Sequence, residues 1–365
     1  MKTDRIDEQA IPRRHFVRDL TYGVLGAGLL AGVARSASCG SSSPVTRATP
    51  LAPDEPDWEP AYLKLHKRGV LRERAEALWA IMGTCALCPR GCGAKRLDGQ
   101  RGFCRAPGTR LVISGHSPHF GEERPLVGRH GSGTIFFSHC NLRCVFCQNW
   151  EISHRGRGAA RSVEDLAGMM LALQNRGCHN INVVTPTHYL PHIVKALDAA
   201  AERGLRIPLV YNTSGWERME IVKQLDGVVD IYLPDIKYGG KESAAKYSAG
   251  ADSYPELTKA AVLEMHRQVG VARTPADGVM RRGLMIRHLV MPNHTEDSEK
   301  IMKWIAAHLP LDTYVNIMAQ YNPHYQAYDF PEIARRVTRD EYRQVVTRAK
   351  ELGFTNLDSR ATWWL

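Results

Sequence analysis

No run of lysine or arginine in this 365-residue sequence exceeds two residues, although the formal net charge is +10. Nor does any stripe of basic residues alternate with aromatics, which make up only 8% of the chain. Nucleic-acid grooves combine those two features, so no nucleic-acid partner is expected and the charge reads as a property spread over the surface. Long hydrophobic runs are missing too. The apolar stretch "LTYGVLGAGLLAGVA" (20–34) falls short of the roughly 20 residues that a membrane-spanning helix needs, and no transmembrane helix is expected. With 44% hydrophobic and 24% charged residues, the composition is that of a soluble globular protein with a sizeable core.

That short apolar stretch follows "PRRHFVR" (12–18) and precedes the small-residue segment "RSASCGSSS" (35–43). Arg13 and Arg14 ahead of a weakly apolar, Gly-rich run resemble a bacterial twin-arginine export signal. Ser36 stands where a lipoprotein signal usually carries Leu, which argues against lipidation at Cys39. A basic tail or a misassigned start codon is the alternative. Residues 40–57, rich in Ser and Pro, read as a linker.

Nine cysteines are present, an odd number, and seven fall in two tight groups. That distribution favours metal ligation over a disulfide framework. Cys140, Cys144 and Cys147 are spaced C-x3-C-x2-C, and Cys147 is followed by Gln148 and Asn149 rather than by a fourth cysteine. The next cysteine, Cys178, lies beyond an expected helix and reads as core. A four-iron cluster normally takes four thiolates, so three would leave one iron open for a substrate. Zinc, or an electron-transfer cluster with a distant fourth ligand, is the competing reading.

From residue 133 onward short apolar runs alternate with helical patterns. The expected strands are 133–138, 181–184, 207–212, 228–233, 283–290 and 313–319, each β-branched or aromatic-rich and bounded by Gly, Pro or polar residues. The helices between them carry recognisable ends, with Ser162/Asp165 and Thr338/Glu341 in capping-box spacing and Gly177, Gly204, Gly270 and Gly353 as terminators. Six strand–helix units imply an α/β fold with a parallel sheet, as a partial (β/α)6 TIM-like barrel or a doubly wound sheet. Either way, ligands belong at the C-terminal strand ends, and the C-x3-C-x2-C loop begins at the first of them.

A C-x3-C-x2-C loop after the first strand of a partial barrel resembles the radical S-adenosylmethionine (SAM) superfamily. The segments "GSGTIFFSHCNLRCVFCQNWEIS", "INVVTPTHYLPHI", "VYNTSGWE", "DIYLPDIKY", "EMHRQVG", "RGLMIRHLVMP" and "YVNIMAQYNP" are similar, in that order, to PflX-type proteins, relatives of the pyruvate formate-lyase activating enzymes. The resemblance covers roughly residues 80–355. It implies a [4Fe-4S] cluster on Cys140, Cys144 and Cys147, with SAM on the open iron. One-electron reduction would split SAM into a 5′-deoxyadenosyl radical that abstracts hydrogen from a substrate, by analogy a glycine backbone in a partner protein. A low-potential electron donor is then required. The competing class is an exported, non-catalytic iron–sulfur carrier.

Further candidates close the remaining strands. Thr185 and Thr187 lie in "TPTHY", where many superfamily members carry a Gly-Gly-Glu segment; that role does not transfer directly. Asn212, Thr213 and Ser214 end the third strand with groups suited to a ribose or carboxylate. Asp235 and Lys237 end the fourth, Arg287 and His288 lie in the fifth, and Gln320 and Tyr321 follow the sixth. Thr185, Thr187, Asn212, Ser214, Asp235 and Lys237 are the expected cofactor contacts. A lone histidine such as His188 is more often structural.

The second group, Cys85, Cys88, Cys92 and Cys104, has C-x2-C-x3-C-x11-C spacing with turn glycines between. A second Fe-S cluster, structural zinc or two disulfides all fit; a metal is favoured because a closed thiolate set ties the folding of a small module to metal binding. The expected organisation is therefore a signal-like segment (1–39), a linker and short helix (40–79), a cysteine-rich metal-binding module (80–130) and the partial barrel (131–365). Export and chemistry pull localisation in opposite directions, because SAM and low-potential reductants are expected in the cytoplasm.

Overall fold

The computed structural model describes residues 58–358; the signal-like segment, Cys39 and the linker residues 40–57 lie outside the described residues. Among the described residues eight strands form one sheet: β1 (Leu111–His119), β2 (Ser132–Phe137), β3 (Ala159–Arg161), β4 (Ile181–Val184), β5 (Leu209–Thr213), β6 (Ile231–Pro234), β7 (Gly283–Leu289) and β8 (Tyr314–Met318). The order is β3-β1-β2-β4-β5-β6-β7-β8. From β2 to β8 every neighbouring pair is parallel, and these six strands are the six expected from the sequence. β1 and β3 extend the β2 edge as antiparallel strands. Residues 111–119, placed by sequence in the cysteine module, thus belong to the main sheet.

The helices α1 (Ala61–Lys67), α2 (Val70–Ala80), α3 (Arg124–Val127), α4 (Trp150–Ser153), α5 (Val163–Asn175), α6 (Leu190–Glu202), α7 (Met219–Gln224), α8 (Lys241–Tyr247), α9 (Tyr254–Val269), α10 (Thr295–His308) and α11 (Arg339–Glu351) fill the connections. Both expected capping boxes form, at Ser162/Asp165 and Thr338/Glu341. Each satisfies two backbone donors that the first helical turn leaves open. The N-terminal pair α1–α2 rests on α6, with the Trp79 ring tilted against His192 at 4.7 Å between centroids and Lys195 paired to Glu76 at 2.7 Å.

The strands sort their side chains with a period of two. One row, including Val183, Tyr211, Tyr232, Ile286 and Ile317, packs under the outer helices. The other faces inward. At its base Val210, Ile231, Leu233, Met285 and Tyr314 meet Leu126 and Met280 in a small apolar plug. Two residues further along the same row the inner face turns polar, at Asn212, Asp235, Arg287 and Asn316. The plug closes one end of the barrel, and the polar C-terminal end is the one left for chemistry.

Candidate functional site

At that end lies a cavity of about 290 Å³, near the lower end of the roughly 300–1,000 Å³ usual for small-ligand sites. Cys140, Cys144 and Cys147 line it together with Thr185, Asn212, Thr213, Ser214, Asp235, Lys237, Arg287, Gln320 and Tyr321. The polar ends of five strands and the cysteine loop therefore meet in one space. Thr187 is not in that wall. It is buried, and its hydroxyl donates to Glu217 at 2.6 Å. His188 and His288 are buried ties: the His188 Nε2–H donates to Ser138 O at 2.8 Å, and the His288 Nδ1–H to Ile236 O at 2.7 Å.

The cysteine loop turns sharply. His139 (φ 72°) and Arg143 (φ 55°) adopt left-handed backbone, as does Thr185 (φ 58°) on the facing wall. A β-branched residue there is strained, and strain of this kind persists where surrounding contacts over-determine it. The loop is strapped to its neighbours: Val145 N donates to Tyr247 O at 2.9 Å, and Gln326 N to Val145 O at 3.0 Å.

Each thiol has a hydrogen-bonding neighbour. Leu142 N donates to Cys140 Sγ at 3.4 Å, Ser248 Oγ to Cys144 Sγ at 3.1 Å, and Ser153 Oγ lies 3.1 Å from Cys147 Sγ. Burial, reinforced by Cys144, pushes the Cys140 thiol up to about 12, and burial with the same neighbour pushes Cys147 to about 11. Free thiols here hold their protons, so a metal must displace them. Among the described residues no three His, Cys, Asp or Glu side chains are arranged as ligands of a single ion. The three sulfurs line the same cavity as the buried Ser214 Oγ, which has no hydrogen-bond partner. Three donor-supported thiols beside a polar cavity suit a cluster and a polar organic ligand together.

Part of the lining is a charge network. Arg287 Nε donates to Asp235 Oδ1 at 2.8 Å, and Lys237 Nζ to Asp235 Oδ2 at 2.5 Å. Burial opposes ionisation of Asp235, but Arg287 and Lys237 overcome it and hold the carboxyl below its ordinary range. Gly215 allows β5 and β6 to close here, because a Cβ on it would come within 2.3 Å of Asp235 O. The Tyr254 hydroxyl ties the same strand ends, lying 2.7 Å from Ser214 O and accepting from Lys237 N at 2.9 Å.

Sequence reasoning missed Glu217, the last residue of "TSGWE". It is fully buried behind Thr213, and its Oε1 accepts from Thr187, Thr213 and Tyr211. Burial raises its carboxyl from 4.5 to about 7, against the downward pull of those hydroxyls. The folded state therefore keeps a proton that the unfolded chain releases above its ordinary value. The stabilisation is complete at acid pH and is lost as pH rises towards 7. Glu217→Gln should remove that dependence, making the variant more stable than wild type by about 3 kcal/mol at pH 8 and equal to it near pH 4. Urea unfolding across that range checks it; parallel curves would refute the shift.

Cys85, Cys88, Cys92 and Cys104 lie within electrostatic reach of one another, and all are free thiols. Burial, with Cys104, Cys85 and Glu217 nearby, pushes Cys88 up to about 12. The module is tied to the barrel by Arg96, fully buried, which donates to His188 O at 2.8 Å and Pro107 O at 2.7 Å. No helix among the described residues is long and apolar enough to cross a membrane.

Fold and site together define an α/β partial-barrel protein with a thiol-lined cavity at its C-terminal mouth. Residues 134–305 match the family model described as the radical SAM superfamily. The uncharacterized protein MJ0674 of Methanocaldococcus jannaschii is 32% identical over 306 residues, covering 81% of this chain and 82% of the relative. MJ0808 of the same organism is 24% identical over 287 residues, covering 70% and 78%. Among solved structures, Streptococcus suis SuiB bound to precursor peptide SuiA aligns over 60% of this chain and 45% of that one, with 14% identity and a TM-score of 0.41. For anSMEcpe with bound AdoMet the values are 63%, 59%, 12% and 0.38. The chain spans about half the length of these two solved structures. The chain belongs to the radical SAM superfamily. That family implies enzyme activity, a [4Fe-4S] cluster and SAM.

Proposed function

We propose that Cys140, Cys144 and Cys147 hold the [4Fe-4S] cluster, and that SAM fills the cavity beside them. Bound there, the cluster would supply the electron for reductive cleavage of SAM, and with it the radical chemistry that takes a hydrogen atom from the substrate. The observation that supports this most is the shared cavity, lined together by the three thiols and the polar ends of successive strands. Lys237, held positive beside Asp235, suits a carboxylate. Asn212 and the unpartnered Ser214 hydroxyl suit a ribose. Gln320, Asn322 and His324 line the same cavity and would face the substrate. The substrate, by resemblance to activating enzymes, is a glycine backbone in a partner protein. The module of Cys85, Cys88, Cys92 and Cys104 holds a second metal, as an iron–sulfur cluster or zinc.

Anaerobic reconstitution with iron and sulfide, then dithionite and SAM, tests the reading. The expected result is 5′-deoxyadenosine and methionine in equal amounts. Reducible iron without any deoxyadenosine would instead support the electron-carrier class.

A further inference from the structure

Arg90 lies in "CPRGC", between Cys88 and Cys92, and its side chain leaves the module. Its Nε donates to Asn141 O at 3.0 Å, and its Nη2 reaches Ser248 O at 3.0 Å and Leu142 O at 3.5 Å. Its Nη1 donates to Ala249 O at 2.7 Å. One guanidinium thus holds four carbonyls from two segments. One segment is the cysteine loop; the other is the turn after α8. Both are bent into left-handed backbone beside the contacts, at Arg143 (φ 55°) and Ala249 (φ 50°). Phe103 and Trp216 fix the guanidinium from its faces, with ring centroids 3.9 and 4.7 Å away.

What those carbonyls belong to matters more than their number. Asn141 O and Leu142 N are the two ends of one peptide group, and Leu142 N donates to Cys140 Sγ at 3.4 Å. Ser248, whose carbonyl Arg90 also holds, donates through its hydroxyl to Cys144 Sγ at 3.1 Å, and Tyr238 OH lies 2.7 Å behind that hydroxyl. Arg90 therefore stands one group behind the donors to two of the three loop sulfurs. A cation at the acceptor end of a peptide strengthens donation from its other end. Hydrogen bonds to cluster sulfurs are among the factors that set the reduction potential.

We propose that Arg90 is a positioning residue through which the four-cysteine module orients and polarises the hydrogen-bond donors to Cys140 and Cys144, and so raises the potential of the cluster they hold. This rests on the reading of Cys140, Cys144 and Cys147 as cluster ligands. The planar fork is essential to it. A lysine at this position keeps the charge but reaches one segment, not both.

The test uses the full reconstituted protein without SAM, titrated electrochemically and followed by electron paramagnetic resonance. The loop cluster is recognised by the change of its signal when SAM is added afterwards. Arg90→Lys and Arg90→Gln are both expected to lower its reduction equilibrium about tenfold, which is 59 mV for one electron. Ser248→Ala, which removes only the final donor, should move it the same way by less. Arg101→Gln, an exposed charge in the same module, should leave it unchanged. In the same protein, amide exchange of residues 139–147 and 247–250 should quicken about tenfold in Arg90→Gln, a readout that needs no change of redox state. A wild-type potential in Arg90→Lys, an unmoved potential in Ser248→Ala, an equal shift in Arg101→Gln, or unchanged exchange would each overturn the proposal. A wild type that binds no iron on the loop would instead sink the reading of the site, leaving the exchange result to decide the role of Arg90.

Discussion

Cys144→Ala is expected to bind no cluster on the 140–147 loop and to form no 5′-deoxyadenosine above background. The middle cysteine is the most deeply supported of the three. It is buried, its sulfur accepts from Ser248, and its carbonyl O lies 3.0 Å from His154 Nε2, which donates to it. The alanine variant leaves two thiols, too few to hold a four-iron cluster that already leaves one iron open. Outer-shell changes around a metal typically cost roughly 10–100-fold in affinity. Ser248→Ala should fall within that range, and loss of the ligand should exceed it. Cys178→Ala is the matched control. Cys178 is a buried core thiol packed near Gly133 at the start of β2, and its variant should keep full iron and activity. Iron and sulfide analysis beside chromatography of deoxyadenosine reads both. Cluster retention in Cys144→Ala would show that the three cysteines are not its ligands.

Much of this architecture can be read in the linear pattern, and the parts that cannot have separate causes. The six parallel strands announce themselves because each is a short apolar run between turn residues, and "INVV" is buried almost throughout in the sheet. The cysteine loop was legible from spacing, and its position from the rule that α/β sheets place ligands at C-terminal strand ends. β1 escaped notice because "LVISGHSPH" carries Gly115, where the register slips, and Pro118 near its end. β3 has three exposed residues and no apolar signal at all. Glu217, Arg90 and Arg96 were invisible for a different reason. Their roles depend on partners 4 to 159 positions away, and a charged residue in a sequence looks solvated until the fold buries it. Asp235 and Arg287 stood out singly as strand ends, yet nothing in the sequence says that they meet.

That meeting carries the second large effect. Arg287→Met should destabilise the protein by about 3 kcal/mol at neutral pH, the low end of the loss for a broken buried ion pair, because the buried Asp235 then keeps only one of its two cationic partners, Lys237. Arg287 and Asp235 are only 16% and 14% exposed, and the same guanidinium reaches Glu122 Oε2 at 3.4 Å and Asn212 Oδ1. Methionine keeps much of the volume and none of the donors, so the loss is electrostatic rather than a cavity. The pH dependence supplies the check. In the wild type Asp235 is held below its ordinary range, so its contribution is present above that range and vanishes only as pH falls through the depressed value. Without Arg287 the carboxyl must titrate higher. The variant then recovers part of its deficit as pH falls and Asp235 takes up a proton, and the gap to wild type is widest at neutral and alkaline pH. Asp235→Asn should cost less, and the double variant less than the two single losses added, since the two side chains share one interaction. Urea unfolding of the four proteins at pH 5 and pH 8 measures all of this. Additive losses, or a gap that does not change with pH, would mean that Arg287 holds the cavity wall by packing alone.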